Sequence, residues 1–143
     1  DHIEDPHNFG AIIRSCEAFG VDAIIIPNDR SVDITGTVVK ASVGTIEKVK
    51  IIKVTNLNNT IKKLKDYGYW VVGTDMEGTV YTDIDYKMKT ALIIGNEGKG
   101  ISRLVSENCD YLAKIPMSGT VNSLNASVAC GIFLAEINRS RGA

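Results

Sequence analysis

The chain has little of what would place it in a membrane, a disulfide framework or a simple polyanion clamp. No stretch approaches the roughly 18 consecutive apolar residues of a spanning helix, and no basic leader with an apolar run behind it is visible. Neither a membrane partner nor a secretion signal is therefore expected. Cysteine is scarce: Cys16, Cys109 and Cys130 are odd in number, far apart, and form no C-x-x-C pair. Reduced thiols and a cytoplasmic location are the simplest reading. The two histidines, His2 and His7, have no cysteine or carboxylate cluster around them, so both are expected at the surface and no metal is expected. A basic excess is missing too: 16 Lys and Arg against 17 Asp and Glu leave a formal charge of −1. Nothing global advertises nucleic acid.

What is present fits one compact domain spanning residues 1–143, with 44% hydrophobic and 23% charged residues. Short β-rich runs alternate with helical patterns. The strand candidates are Ala23–Ile26, Lys50–Val54, Tyr69–Thr74, Thr90–Ile94 and Tyr111–Ile115. Most are continuous apolar runs, as parallel strands covered on both faces require. Phe9, Ile12, Ile13, Cys16 and Phe19 fall at helical spacing, with Gly20 as the stop. A second helix covers Leu57–Tyr67, with Ile61 and Leu64 inward and Lys62, Lys63 and Lys65 outward. Ser102–Cys109 reads as a short helix capped by Ser102, and a last helix runs from about Leu124 to Arg139. The expected class is α/β, a mostly parallel sheet with helices on both faces. Asp1 stands where an initiator methionine would, directly before a dense motif, so a portion of a longer protein is expected.

Three segments carry unusual chemistry. Gly95-Asn96-Glu97-Gly98-Lys99-Gly100 follows the apolar run Ala91–Ile94, and its glycines let backbone amides approach a ligand closely. It is neither a P-loop, which would need lysine at Ile101, nor a dinucleotide fingerprint, which would need glycine at Glu97. The bland reading is a tight surface turn, although an acid set between glycines has no obvious structural task. The second segment, residues 115–125, opens the final helix, where Ser123 and Asn125 could be simple caps. The third, Asp5 to Arg14, starts a helix at Pro6. There Asn8 and Arg14 lie about 1.7 turns apart, and such an arginine is often only solvated or ion-paired.

Together these segments resemble the SpoU/TrmH group of SPOUT RNA 2′-O-methyltransferases. The motifs are N-x-G-A-I-x-R at Asn8–Arg14, G-x-E-x-x-G at Gly95–Gly100, and I-P-M-x-G-x-x-x-S-L-N-x-S-x-A at Ile115–Ala129. They occur in family order and bracket nearly the whole chain. Val39-Lys40-Ala41-Ser42-Val43-Gly44 further resembles the branch that methylates a guanosine ribose in bacterial 23S ribosomal RNA. Ala126 departs from a common valine.

The resemblance implies S-adenosylmethionine as methyl donor, with no metal. Gly95, Ile115 and Leu124 would hold it, with Thr74 and Met117 nearby. The apolar edges of Ile115, Met117 and Leu124 independently suit an adenine face. Arg14, Glu97, Ser123, Asn125 and Asn8 are the implied catalytic set. Arg14 is the family's proposed base, although a guanidinium titrates at about 12.5 or above and is at neutral pH an orienting cation. Glu97, Ser123 and Asn125 would shape the pocket, orient Arg14 and bind the ribose, and Asn8 would fix the loop or contact RNA. The resemblance also implies a C-terminal trefoil knot, RNA as partner, and a homodimer built on the last helix. Two other readings stay open: a dehydrogenase-like nucleotide-binding domain, disfavoured by the missing fingerprint, and a non-catalytic RNA-binding or ribosome-assembly module. Transfer RNA is the alternative to ribosomal RNA.

Overall fold

The computed structural model describes residues 1–29 and 48–142. The segment Val39–Gly44 lies outside the described residues. Asp5 caps the first helix, α1 (Pro6–Ala18), by accepting from the amides of His7 and Asn8, and Pro6 occupies the first turn, where it gives up no hydrogen bond. Gly20 follows in the left-handed region, φ 69°, and ends the helix as its position in the sequence implied.

Strands β1 (Ile24–Pro27) and β2 (Ile51–Val54) pair in parallel. Helix α2 (Leu57–Asp66) is capped by Asn56, whose side chain accepts from the Asn59 amide, and leads into β3 (Trp70–Val80). A single 3₁₀ turn (Tyr81–Asp83) precedes β4 (Thr90–Ile93). Then come α3 (Arg103–Asn108), β5 (Tyr111–Lys114) and α4 (Ala126–Ser140). β3 lies between β4 and β5, and both of its pairings are parallel. The described strands thus form two parallel ladders, β1–β2 and β4–β3–β5, as the continuous apolar runs implied.

Three apolar clusters hold these layers together. Phe9, Ile12, Ile13 and Cys16 of α1 pack with Ala126, Cys130 and Leu134 of α4 against Ile26. Val72 and Ala113 meet Phe133 and Ile137 of α4, with Tyr86 from the β3–β4 connection fully buried among them. On the other face Val71 and Ile93 meet Ile61 of α2 and Val105 of α3. Val71 and Val72 point to opposite faces, so β3 is buried on both sides.

Three sequence expectations need correction. β3 extends six residues past Thr74, to Val80, because the chain bulges at residues 75–78 and then pairs again, Thr79 with Ala113 and Val80 with Lys114. The final helix starts at Ala126, since the Asn125 side chain takes the capping role and leaves Ser123 and Leu124 in the preceding loop. Ser102 occupies the N-cap of α3, but its hydroxyl caps nothing, and its amide donates to Asp1 Oδ2 at 2.7 Å. Lys65 is exposed on α2 as expected, and its Nζ also donates to the Asn108 carbonyl at 3.1 Å and lies 3.4 Å from Asp110.

Candidate active site

A cavity of about 590 Å³ opens beside the β3 bulge and at the carboxyl ends of β4 and β5. In open parallel sheets this edge is where ligands bind, because strand-to-helix loops converge there. Thr74, Ile94, Gly95 and Ile115 supply the strand-end wall. Met117, Ser123 and Leu124 come from the loop before α4, and Ala129 and Phe133 from α4 itself. The five residues expected to hold a cofactor, Gly95, Ile115, Leu124, Thr74 and Met117, therefore line one space, with Glu97 and Ser123 of the expected catalytic set. Leu124 and Met117 remain 36% and 37% exposed, so their apolar edges are open for contact. The charged lining is mixed: Asp75, Glu77 and Glu97 against Lys99 and Lys114.

The glycine turn is rigid for identifiable reasons. Asn96 and Gly100 exchange two backbone hydrogen bonds, at 3.0 and 2.9 Å, which closes the loop. Asn96 Oδ1 accepts from the amides of Gly98 and Lys99, and its Nδ2 donates to the His2 carbonyl at 2.7 Å. Gly100 has φ 70°, a conformation that favours glycine. At Gly95 a Cβ would strike the backbone of Gly100 and lie 2.5 Å from Ile101 N.

Glu97 reaches out of this turn to the first motif. Its carboxylate accepts from the Asp5 amide at 2.7 Å and from the Glu4 amide at 3.2 Å. Its partners are thus the backbone just before α1 rather than Arg14. The anion also sits beside a helix N-terminus, where it is electrostatically favourable.

Asn8 is buried at 8% exposure, its Oδ1 3.0 Å from Ser127 Oγ, and Ser127 Oγ lies 2.6 Å from Asn125 Oδ1. Asn125 itself accepts from the amides of Ser127 and Val128. The first and third motifs thus meet through one serine hydroxyl. Arg14 lies elsewhere: it is exposed on α1, outside the cavity lining, and no described residue engages its guanidinium.

Sequence reasoning passed over three contributors. Asn96 builds the turn, and an asparagine next to glycines was a legible turn signal. Ser127 links two expected site residues and stood inside the quoted motif without a role. Residues 75–77 line the cavity only because of the β3 bulge, which no periodicity announces. Two histidine details also differ from expectation or agree with it: His7 is exposed, whereas His2 is half-buried, its Nδ1 2.6 Å from Asp1 Oδ1. Among the described residues no three His, Cys, Asp or Glu side chains are grouped so as to hold a metal ion. None of the described helices is long and apolar enough to cross a membrane.

A nucleoside-sized cavity with apolar walls and a polar rim, set at the carboxyl edge of parallel strands, defines an α/β domain built to hold a small organic molecule. Comparison with known proteins sharpens that class. The family described as SpoU rRNA Methylase matches residues 1–135, and the chain belongs to it. A Staphylococcus saprophyticus protein assigned to the TrmH family of tRNA/rRNA methyltransferases is 54% identical over 142 residues, which is 99% of this chain and 57% of that protein. The chain thus spans little more than half the length of the curated relatives it matches. Among solved structures, the SpoU methyltransferase AviRb from Streptomyces viridochromogenes, in complex with S-adenosylmethionine, superposes with a TM-score of 0.90 at 32% identity, covering 96% of this chain and 57% of AviRb. The TrmH/SpoU tRNA modifying enzyme of A. aeolicus superposes with a TM-score of 0.89 at 34% identity, covering 97% and 71%.

Proposed function

We propose that this chain is the catalytic domain of a cytoplasmic RNA ribose 2′-O-methyltransferase that takes its methyl group from S-adenosylmethionine. The observation that carries the reading is the single cavity into which the glycine turn and the loop before α4 both project, with the first motif fastened to that turn through Glu97. A guanosine of 23S ribosomal RNA is the proposed target, on the resemblance at residues 39–44. Transfer RNA is the second reading, favoured by the likeness to the A. aeolicus tRNA modifying enzyme.

The residues present fit the cofactor. The volume of about 590 Å³ suits a nucleoside-sized ligand. Ile115, Met117 and Leu124 offer apolar edges to an adenine, and the amides of the turn after Gly95 offer donors. Asp75, Glu77 and Glu97 would favour a ligand that carries positive charge. When bound, S-adenosylmethionine supplies an electrophilic methyl group on a sulfonium.

The protein's task is then to place a ribose hydroxyl in line and to ease loss of its proton. Glu97 holds the entry to α1 against the glycine turn and so fixes Asn8 relative to the cavity. Ser123 is free in the cavity rim to meet the ribose, and Asn125 orients the start of α4. Arg14, unengaged by the described residues, is available to clamp an RNA phosphate and steady the attacking hydroxyl.

A homodimer completes this proposal. Val128, Ile132 and Ala135 face away from the core on α4, with Val128 50% exposed. A partner placed there could bring its own Arg14 to this site. A C-terminal knot is also proposed. It is supported by Arg141, which grips the Tyr86 and Met88 carbonyls at 2.8 and 2.7 Å and so binds the end of the chain to the β3–β4 connection.

The test is calorimetric titration with S-adenosylmethionine and with NAD, each with and without EDTA. Heat for S-adenosylmethionine alone, unchanged by EDTA, is expected. No heat at millimolar cofactor discards the methyltransferase reading, and mapping the methylated nucleotide then separates ribosomal from transfer RNA.

A further inference from the structure

We infer that Ser127 is a positioning residue that sets the amide polarity of both Asn8 and Asn125, leaving Asn125 only a donor for substrate. The inference rests on the methyltransferase reading of the same site.

Ser127 Oγ stands 2.6 Å from Asn125 Oδ1 and 3.0 Å from Asn8 Oδ1. A hydroxyl carries one proton and cannot donate fully to both. The identity of the Asn125 oxygen is fixed by the backbone, since the Ser127 and Val128 amides point at it from 3.0 and 3.4 Å. An NH₂ in that place would face two donors. The shorter contact therefore holds the hydroxyl proton, which leaves only lone pairs on Oγ toward Asn8.

Two oxygens facing each other without a proton repel. A half-turn of the Asn8 amide exchanges two atoms of nearly equal size and converts that repulsion into donation from Nδ2–H. The result is a one-way relay: Asn8 Nδ2–H to Ser127 Oγ, and Ser127 Oγ–H to Asn125 Oδ1. The remaining polar atoms are the Nδ2 of Asn125 and the carbonyl oxygen of Asn8. Asn125 is exposed, so its Nδ2 is open to substrate, whereas Asn8 is buried at 8% exposure. Substrate thus meets a fixed donor at Asn125, held in that sense by Ser127 and, behind it, by the buried Asn8.

Nitrogen-15 NMR of this chain tests the relay without reference to activity. The Asn8 side-chain NH₂ signal, identified by its loss in Asn8→Asp, should exchange slowly with solvent. Ser127→Ala should return it to the free rate, while Ser127→Thr, which keeps the hydroxyl, should preserve protection. In parallel, Ser127→Ala should lower kcat roughly 10- to 100-fold, the scale of a small misplacement, with cofactor affinity within about twofold. Ser127→Thr should recover most of the rate. Free-rate exchange of the Asn8 amide in the unmodified chain overturns the relay. So does wild-type kcat in a Ser127→Ala protein that melts normally. An unmodified chain that binds no S-adenosylmethionine sinks the methyltransferase reading instead, and the exchange measurement still decides the relay.

Discussion

The Glu97 carboxylate accepts the Asp5 amide at 2.7 Å, so the glycine turn after β4 and the entry to α1 are fastened together across 92 residues of chain. Glu4 adds a second amide to the same carboxylate. This contact, rather than one to Arg14, explains why an acid stands between glycines.

Glu97→Ala should therefore unfasten the first motif while leaving the core intact. The contact is exposed, so its net worth to stability is only about 1 kcal/mol. Hydrogen exchange at the Glu4 and Asp5 amides should accelerate, and methyl transfer should fall by roughly 10²-fold as Asn8 loses its fixed place. Glu97→Gln, which keeps one oxygen acceptor, should lie between. Unchanged exchange at both amides in Glu97→Ala would show that the fastening is not maintained in solution.

Gly95→Ala tests the turn itself. Its new methyl would meet backbone at Gly100 and Ile101, which cannot move aside as a side chain would. Overpacking of this kind typically costs about 1–3 kcal/mol. A Tm lowered by several degrees is expected, together with at least tenfold weaker S-adenosylmethionine binding, read by thermal shift and calorimetry. Gly98→Ala is the control: the nearest atom to its Cβ is 3.7 Å away, and little change is expected.

These cases show what the sequence can and cannot convey. Val71, Val72, Ile93 and Ala113 lie in apolar runs because both faces of their strands are covered, and that pattern is visible without coordinates. The motif residues Gly95, Ile115 and Leu124 could likewise be grouped by type and order. The β3 bulge could not, because re-pairing at Thr79 depends on where β5 ends, not on local periodicity. The partner of Glu97 was also hidden: it is backbone, and a main-chain amide leaves no mark in the residue letters. The start of α4 was misjudged for a related reason, since Ser123 and Asn125 both suit a cap and only the fold chooses between them.

Stability should fall on the alkaline side. Burial, with Glu136 and Tyr81 adding to it, pushes the Tyr86 hydroxyl up to about 12 from an ordinary value of 10. Burial, with Asp110 adding and Lys65 opposing, pushes the Cys109 thiol up to about 11 from 9. Both groups hold their protons more tightly when folded. Their contribution is complete below pH 9 and is lost as pH rises through about 11 and 12. Urea midpoints measured from pH 8 to 12 should drop across this window. Tyr86→Phe should flatten the upper part of the drop, although it also removes the hydrogen bond to the Tyr81 carbonyl. An equal pH dependence in both proteins would assign the effect elsewhere.

The exposed face of α4 makes the dimer testable. Val128→Asp places a charge on that face, away from the core, and should give a folded monomer by sedimentation at micromolar concentration. If Arg14 serves the neighbouring site, monomer formation and Arg14→Ala should both remove most methyl transfer. Mixing the inactive Arg14→Ala and Asn125→Ala proteins should restore part of it, because a mixed dimer carries one site with both residues intact. No recovery on mixing would place Arg14 in the site of its own subunit.

RNA affinity should be weak in this chain by itself. Phosphate contacts supply much of the binding energy for structured RNA, and each releases counterions, so a self-sufficient RNA-binding domain carries a basic footprint. This chain has a formal charge of −1, and Lys65 is committed to Asn108 and Asp110. Lys62 and Lys63 stand together on α2, and other exposed cations such as Arg14, Lys99 and Arg103 are dispersed over separate elements and balanced by acids, so no basic footprint forms among the described residues. The staphylococcal relative is much longer, with this chain matching 57% of it. RNA affinity should reside largely in the part it does not share. Filter binding of this chain and of the full relative to one ribosomal RNA hairpin, at matched salt, should show the chain at least tenfold weaker, with a shallower dependence on salt. S-adenosylmethionine affinity should be comparable in the two. Equal RNA affinity would mean that this domain recognises its substrate unaided, through the site face alone.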